Sequence, residues 1–221
     1  MKIKAILGAT ILASGLNVQA FADTTSALNT EASRMNTLAA SHGESNVTGK
    51  ISGTFNSFLG SDSTAVVTGL RNGTPITLTT TTPAATSGAA PTVTTTVITP
   101  PTGKMGHGNV FTSLALAKQQ LGQLGISQPT PDQLQAALTG GTITTGTGAT
   151  ATTTQLQGVL TMRSQGMGWG QIAQKQGTKL GPVISGLKSA NQQMTTTNAS
   201  STGSQSTSSS SAIVSGNGKS H

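Results

Sequence analysis

Cysteine is absent from this 221-residue sequence. That excludes disulfides, thiolate nucleophiles, iron–sulfur ligation and every cysteine-based zinc site. Tyrosine is also absent and tryptophan occurs once, so little surface exists on which a base or sugar ring could stack. Only 8% of residues are charged and 2% are aromatic. No apolar run reaches the roughly 20 residues of a comfortable membrane-spanning helix. Hydrophobic residues make up 33%. A single core of full length is therefore not expected, because ordering every residue costs more than so few large side chains offset.

Threonine (40), glycine (28) and serine (25) fill the space instead. The first 22 residues have the order of a signal peptide. Lys2 and Lys4 form a positive region, Ala5 to Val18 is uncharged and mostly apolar, and Ala20-Phe21-Ala22 offers small residues at the positions a signal peptidase reads. Without this leader, ten Lys and Arg stand against five Asp and Glu. From Pro100 onward, Asp132 faces seven basic residues. Such a surplus suits contact with anionic envelope polymers or lipid headgroups, and it also keeps a Thr-rich chain soluble.

Patterning divides the rest. Residues 23–50 carry a weak stripe of Leu28, Met35 and Leu38 that ends at His42-Gly43, which predicts a marginal helix or disorder. Residues 51–139 read as a helix, hairpin and helix unit. Phe55, Phe58, Leu59, Val66 and Leu70 recur at near-helical spacing, Ser61 to Ser63 offer a cap, and Gly73 offers a stop. Thr74–Thr82 and Thr92–Thr99 are β-branched runs either side of a Pro/Ala/Gly tip, with Val93 and Val97 on one face of the second strand. Asn109 is placed to cap a helix from Val110, and Thr130-Pro131-Asp132 to start another. Residues 140–154 are almost pure Thr, Gly and Ala and read as a linker; residues 195–221 read as a disordered tail.

Residues 155–194 predict three short helices with glycine turns, built round Trp169. Arg163, Lys175, Lys179 and Lys188 give this unit four positive charges and no acid. Ile172-Ala173, Gly177 and Val183 stand at the spacing of a helix-turn-helix DNA-binding domain, which this stretch resembles over about 20 residues. The stretch departs from that pattern at Thr178 and Gly186. A second likeness is broader. Gly166-Met167-Gly168-Trp169-Gly170-Gln171-Ile172-Ala173, followed by Lys179-Leu180-Gly181, resembles a run in uncharacterised exported proteins of Gram-negative bacteria. Some of these have a segment similar to Pro100-Pro101-Thr102-Gly103-Lys104-Met105-Gly106. This likeness implies export and no particular activity.

Chemical motifs are missing. His42, His107 and His221 lie far apart and the acids form no calcium loop. Ser185 lacks the glycine of a nucleophile elbow, Gly103-Lys104 lacks the rest of a phosphate loop, and Gln171 stands where a dinucleotide fingerprint ends in glycine. His107, between two glycines, reads as a loop residue. The expected fold is mainly α with one β-hairpin (α+β), in small helical units joined by disordered Thr/Gly/Ser-rich segments. The expected function is an exported, non-enzymatic module of the periplasm or cell surface, with no cofactor and no metal. Trp169, Arg163, Lys175, Lys179 and Lys188 are its candidate interaction residues. The expected partner is an anionic envelope polymer or another envelope protein. Nucleic-acid binding through the basic unit is the alternative, disfavoured by the leader.

Mass spectrometry of protein recovered from outside the cytoplasm should find Asp23 at the N-terminus. An intact Met1 there would refute the leader.

Overall fold

A computed structural model describes residues 15–84 and 90–202, with backbone alone for 15–22, 149 and 197–202. Most of the leader, the tip of the first hairpin and residues 203–221 of the tail lie outside the described residues. The chain runs α1 (Gly15–His42), α2 (Glu44–Leu59), α3 (Ser63–Asn72), β1 (Ile76–Thr82), β2 (Thr92–Ile98), α4 (His107–Gln123), α5 (Pro131–Thr139), β3 (Gly141–Thr145), β4 (Thr152–Leu156), α6 (Val159–Ser164), α7 (Trp169–Lys175) and α8 (Leu180–Thr202). It is mainly helical, with two small antiparallel hairpins. Among the described residues, no helix is long and apolar enough to cross a membrane.

At the centre lies α4. Its run Val110-Phe111-Thr112-Ser113-Leu114 is buried on every side, as is Leu116-Ala117. A helix apolar all round must be enclosed, and α1, α2, α3, α5, α6 and α8 pack about it. The two hydroxyls in that run bond back into the helix, Thr112 to the Gly108 carbonyl and Ser113 to that of Val110, so their burial leaves no polar group unmatched. The α1–α4 crossing is tight: a Cβ at Gly108 would overlap the Ala32 backbone. Asn36 of α1 accepts a hydrogen bond from the Gly108 N–H at 3.1 Å.

Residues 23–50 are regular helix rather than marginal. Leu28, Ala32, Met35, Leu38 and Ala39 are buried, since α4 and α8 supply the apolar surface that the weak stripe lacks alone. Gly43, at φ 94°, makes the break before α2. Gly73 ends α3 in the left-handed conformation (φ 70°), as its sequence predicts. No side chain of Ser61–Ser63 caps α3, whose first turn is entered from a 3-10 turn instead. Thr130 and Gln133 form a reciprocal capping box on α5, an arrangement worth about 0.5–2 kcal/mol.

The first hairpin pairs Ile76 with Ile98 and Leu78 with Thr96, and these four side chains face the core. Val93 and Val97 lie on the opposite, exposed face. Residues on a strand alternate sides, so burying Ile98 turns Val97 outward.

The stretch read as a linker is the second hairpin. Thr142–Thr145 pair with Thr152–Gln155, and Ile143 and Leu156 anchor the hairpin in the core. Threonine is β-branched and favours extended backbone, and Gly146 and Gly148 take the positive φ the turn needs. The helix expected from Gln155 begins only at Val159. Gly158 sits at φ 76° against the backbone of Thr139 and Gly140 and admits no side chain. The expected tail is helical as far as Thr202. Thr195 and Thr196 donate to the Gln192 carbonyl one turn back, which satisfies hydroxyls that composition alone assigns to solvent.

The buried side chains of the two expected units form one continuous cluster, from Leu28 to Met194. Trp169 takes part in it and bonds across to α4. The sequence alone suggests that Trp169→Ala would unfold 155–194 and spare the rest. The shared core instead predicts loss of about 3–5 kcal/mol in one cooperative transition. Urea unfolding followed by far-ultraviolet circular dichroism checks this. Two separated transitions would show that the units fold apart.

Candidate functional site

The two sequence runs with the most distinctive wording meet in space. Pro101, Thr102, Lys104, Met105, Gly106 and Asn109 from the approach to α4 face Arg163, Ser164 and Gly166 from the end of α6 across an open groove of about 570 Å3. Among the described residues, Lys104 and Arg163 are its two charges and no acid lines it.

Each wall is held from behind. On the α6 side, the Arg163 guanidinium lies 5.0 Å from the centre of the Trp169 ring. This cation–π stacking contributes about 0.5–2 kcal/mol. Its Nη1 donates to the Met167 carbonyl at 2.9 Å, so the guanidinium is fixed on two sides. Trp169 is buried, and its Nε1 donates to Asn109 Oδ1 at 3.3 Å. That bond ties the two walls together. Asn109 thus serves the groove and does not cap α4, whose N-cap is Gly106. The helix starts three residues earlier than its apolar stripe suggests.

On the α4 side, Arg71 of α3 clamps the loop. Its Nη1 donates to the Met105 carbonyl at 3.1 Å, and the Met105 N–H donates to the Arg71 carbonyl. Its Nη2 pairs with Glu44 Oε1 at 2.7 Å. A Cβ at Gly73 would overlap Gly103 and Lys104, so the glycine lets the loop lie against the end of α3.

His107 is not a loop residue. It opens α4, buried, with Nε2 3.2 Å from Thr48 Oγ1 and a hydrogen bond to the Glu44 backbone. Burial lowers its pKa below the usual 6.5, and the Arg71 guanidinium lowers it further; Glu44 opposes both. The fold thus disfavours protonation of the ring, which braces α2 against α4.

Of the basic residues singled out in the sequence, only Arg163 reaches this groove. Lys175 lines a smaller one of about 380 Å3 beside Gly140, Gln155 and Gln165. Lys179 lines an apolar one of about 490 Å3 with Gly170, Gly177 and Gly181. Lys188 is exposed on α8 and lines none of the three. The α7–α8 turn has the expected glycine, Gly177 at φ 65°, but α4 holds it: Gln123 donates to the Gly177 carbonyl and Gln119 accepts from the Lys179 N–H. Asn191, the side chain best suited to read a base, is buried and donates to Glu31 at 2.9 Å. Lys104, Asn109 and Arg71 were not legible as site residues, because the groove depends on contacts between segments about 60 residues apart. The one signal was the wording of the run 100–106 itself.

No protein family, curated protein or solved structure matches this chain.

The depressed pKa of His107 has a pH consequence. The unfolded imidazole takes up a proton near 6.5, while the folded one resists it. The unfolded state then binds more protons, so His107 contributes stability that is complete above 6.5 and is lost as pH falls below it. The urea midpoint should drop between pH 7.5 and 5.5, and His107→Gln should flatten that part of the profile. An unchanged slope in the variant would assign the effect to other groups.

Proposed function

We propose that the chain is an exported, non-enzymatic, envelope-associated module that binds anionic groups of a polymer or protein partner. The observation that carries this reading is the acid-free groove in which Arg163 and Lys104 converge from distant segments. Its lining supplies guanidinium, ammonium, hydroxyl and amide groups, which hold an anion by charge-assisted hydrogen bonds. His107, the nearest candidate base, is engaged with Thr48 and the Glu44 backbone inside the core, which favours binding over catalysis. Among the described residues one ion pair forms, Arg71 with Glu44. The remaining Lys and Arg keep charge available for long-range attraction of a negative partner. Export rests on the leader and on the likeness to exported proteins.

Binding of the exported chain to an acidic polysaccharide and to anionic vesicles, measured at two salt concentrations, tests this. Affinity should fall with salt. Lys104→Ala and Arg163→Ala should each weaken it roughly tenfold, the equivalent of one charge-assisted bond. Lys188→Ala should leave it unchanged. Equal losses at all three positions would mean diffuse attraction with no site.

A further inference from the structure

We propose that the groove between Lys104 and Arg163 takes a phosphate ester of a small polyol, a phosphosugar or phosphoglycerol unit. The proposal rests on the reading above that this groove binds anions, and it names the class of anion. Three observations carry it.

The first is the arrangement of charge. The stacked guanidinium of Arg163 spends one Nη1 donor on the Met167 carbonyl. Its other N–H groups have no partner among the described residues and form a planar fork. Lys104 comes from the other segment, so the two cationic donors approach from opposite walls, while the Thr102 and Ser164 hydroxyls on the lining donate to the Gly103 and Thr161 carbonyls and keep their oxygens as acceptors. A tetrahedral phosphate presents oxygens in several directions and can meet donors from both segments. A planar carboxylate presents two oxygens in one plane and suits the fork alone.

The second is size. At about 570 Å3 the groove far exceeds one oxyanion, given that a water molecule occupies about 30 Å3. There is room for the group to which the phosphate is esterified.

The third is lining. Besides the cations, the walls offer Thr102, Asn109 and Ser164, and more polar than apolar surface. That suits hydroxyl groups and not an acyl chain. The one indole is buried beneath Arg163, so no open ring face is offered to a nucleobase. The Arg71–Glu44 pair behind Met105 is internally neutralised and does not repel the ligand.

The single Trp169 indole N–H, bonded to Asn109 on the groove lining, is a ready reporter by NMR. With the full exported chain, glycerol 3-phosphate should shift this resonance and saturate. Galacturonate should bind roughly tenfold more weakly, the loss expected when about one charge-assisted bond is missing; inorganic phosphate should also bind roughly tenfold more weakly, because it lacks the hydroxyl contacts of the polyol, and glycerol should have no effect. Arg163→Lys keeps the charge but loses the fork, and should weaken the ester by about tenfold. Lys104→Gln, at an exposed position, should weaken it by a similar factor, with an unchanged urea midpoint as the check on folding. Phosphatidylglycerol vesicles that displace the soluble ester would identify a lipid headgroup as its source; vesicles that fail to compete would identify a polymer-borne or free ester. If galacturonate matches glycerol 3-phosphate in affinity, or Lys104→Gln binds the ester normally, this inference is overturned while the anion-binding reading stands. If no anion moves the indole signal at low salt, both fall.

Discussion

The close crossing of α1 and α4 at Gly108 governs how the remaining elements can assemble. Ala32 of α1 lies where a side chain at Gly108 would be, so the two helices approach more closely than side chains of ordinary size allow. That approach sets Asn36 on the Gly108 N–H and buries the α1 stripe of Leu28, Met35 and Leu38. The second long helix, α8, then lies along α1 and α4. The chain has few large apolar residues, and it makes them sufficient by surrounding one helix completely. Each fully buried leucine or phenylalanine contributes about 1.5–3 kcal/mol, and α4 is where most elements share that gain.

The same centre positions the groove. The α4 end of its loop is fixed twice: Met105 to Arg71, and His107 to Thr48. The opposite wall is fixed through Trp169 to Asn109, one turn into α4. Lys104 and Arg163 therefore sit at the open edge of a rigid frame. A preorganised frame loses less entropy when it captures a ligand than a floppy one does. Loosening His107 or Trp169 would move a wall of the groove.

Local chemistry made several elements readable. Thr130-Pro131-Asp132-Gln133 states a helix start whatever surrounds it, and Asn72-Gly73 states a stop. The β-branched runs of the first hairpin pair as expected, and Val93 and Val97 share a face of β2, which proves to be the exposed one. Compositional reasoning failed where threonine was concerned. Thr142–Thr154 and the segment after Met194 have the composition of linkers, yet one pairs as strands and the other extends a helix. Threonine supports either state once a neighbour satisfies its hydroxyl and backbone. Of the site, Arg163 and Trp169 were legible, as the only indole and an adjacent cation. Lys104 and Asn109 were not, because their place at the groove depends on contacts with a segment about 60 residues further along the chain.

By itself, the sequence determined what chemistry is excluded, through its lack of cysteine and of clustered histidines and acids, and it determined a mainly helical class with a Thr-rich hairpin. Those properties follow from residue type and local spacing, which need no partner. Only the tertiary structure decided that one core joins the halves, that the four cations of the C-terminal unit disperse over separate surfaces, and that Lys104 and Arg163 share a groove. Each of these depends on which helix faces meet, and that is settled by the burial of α4 as a whole.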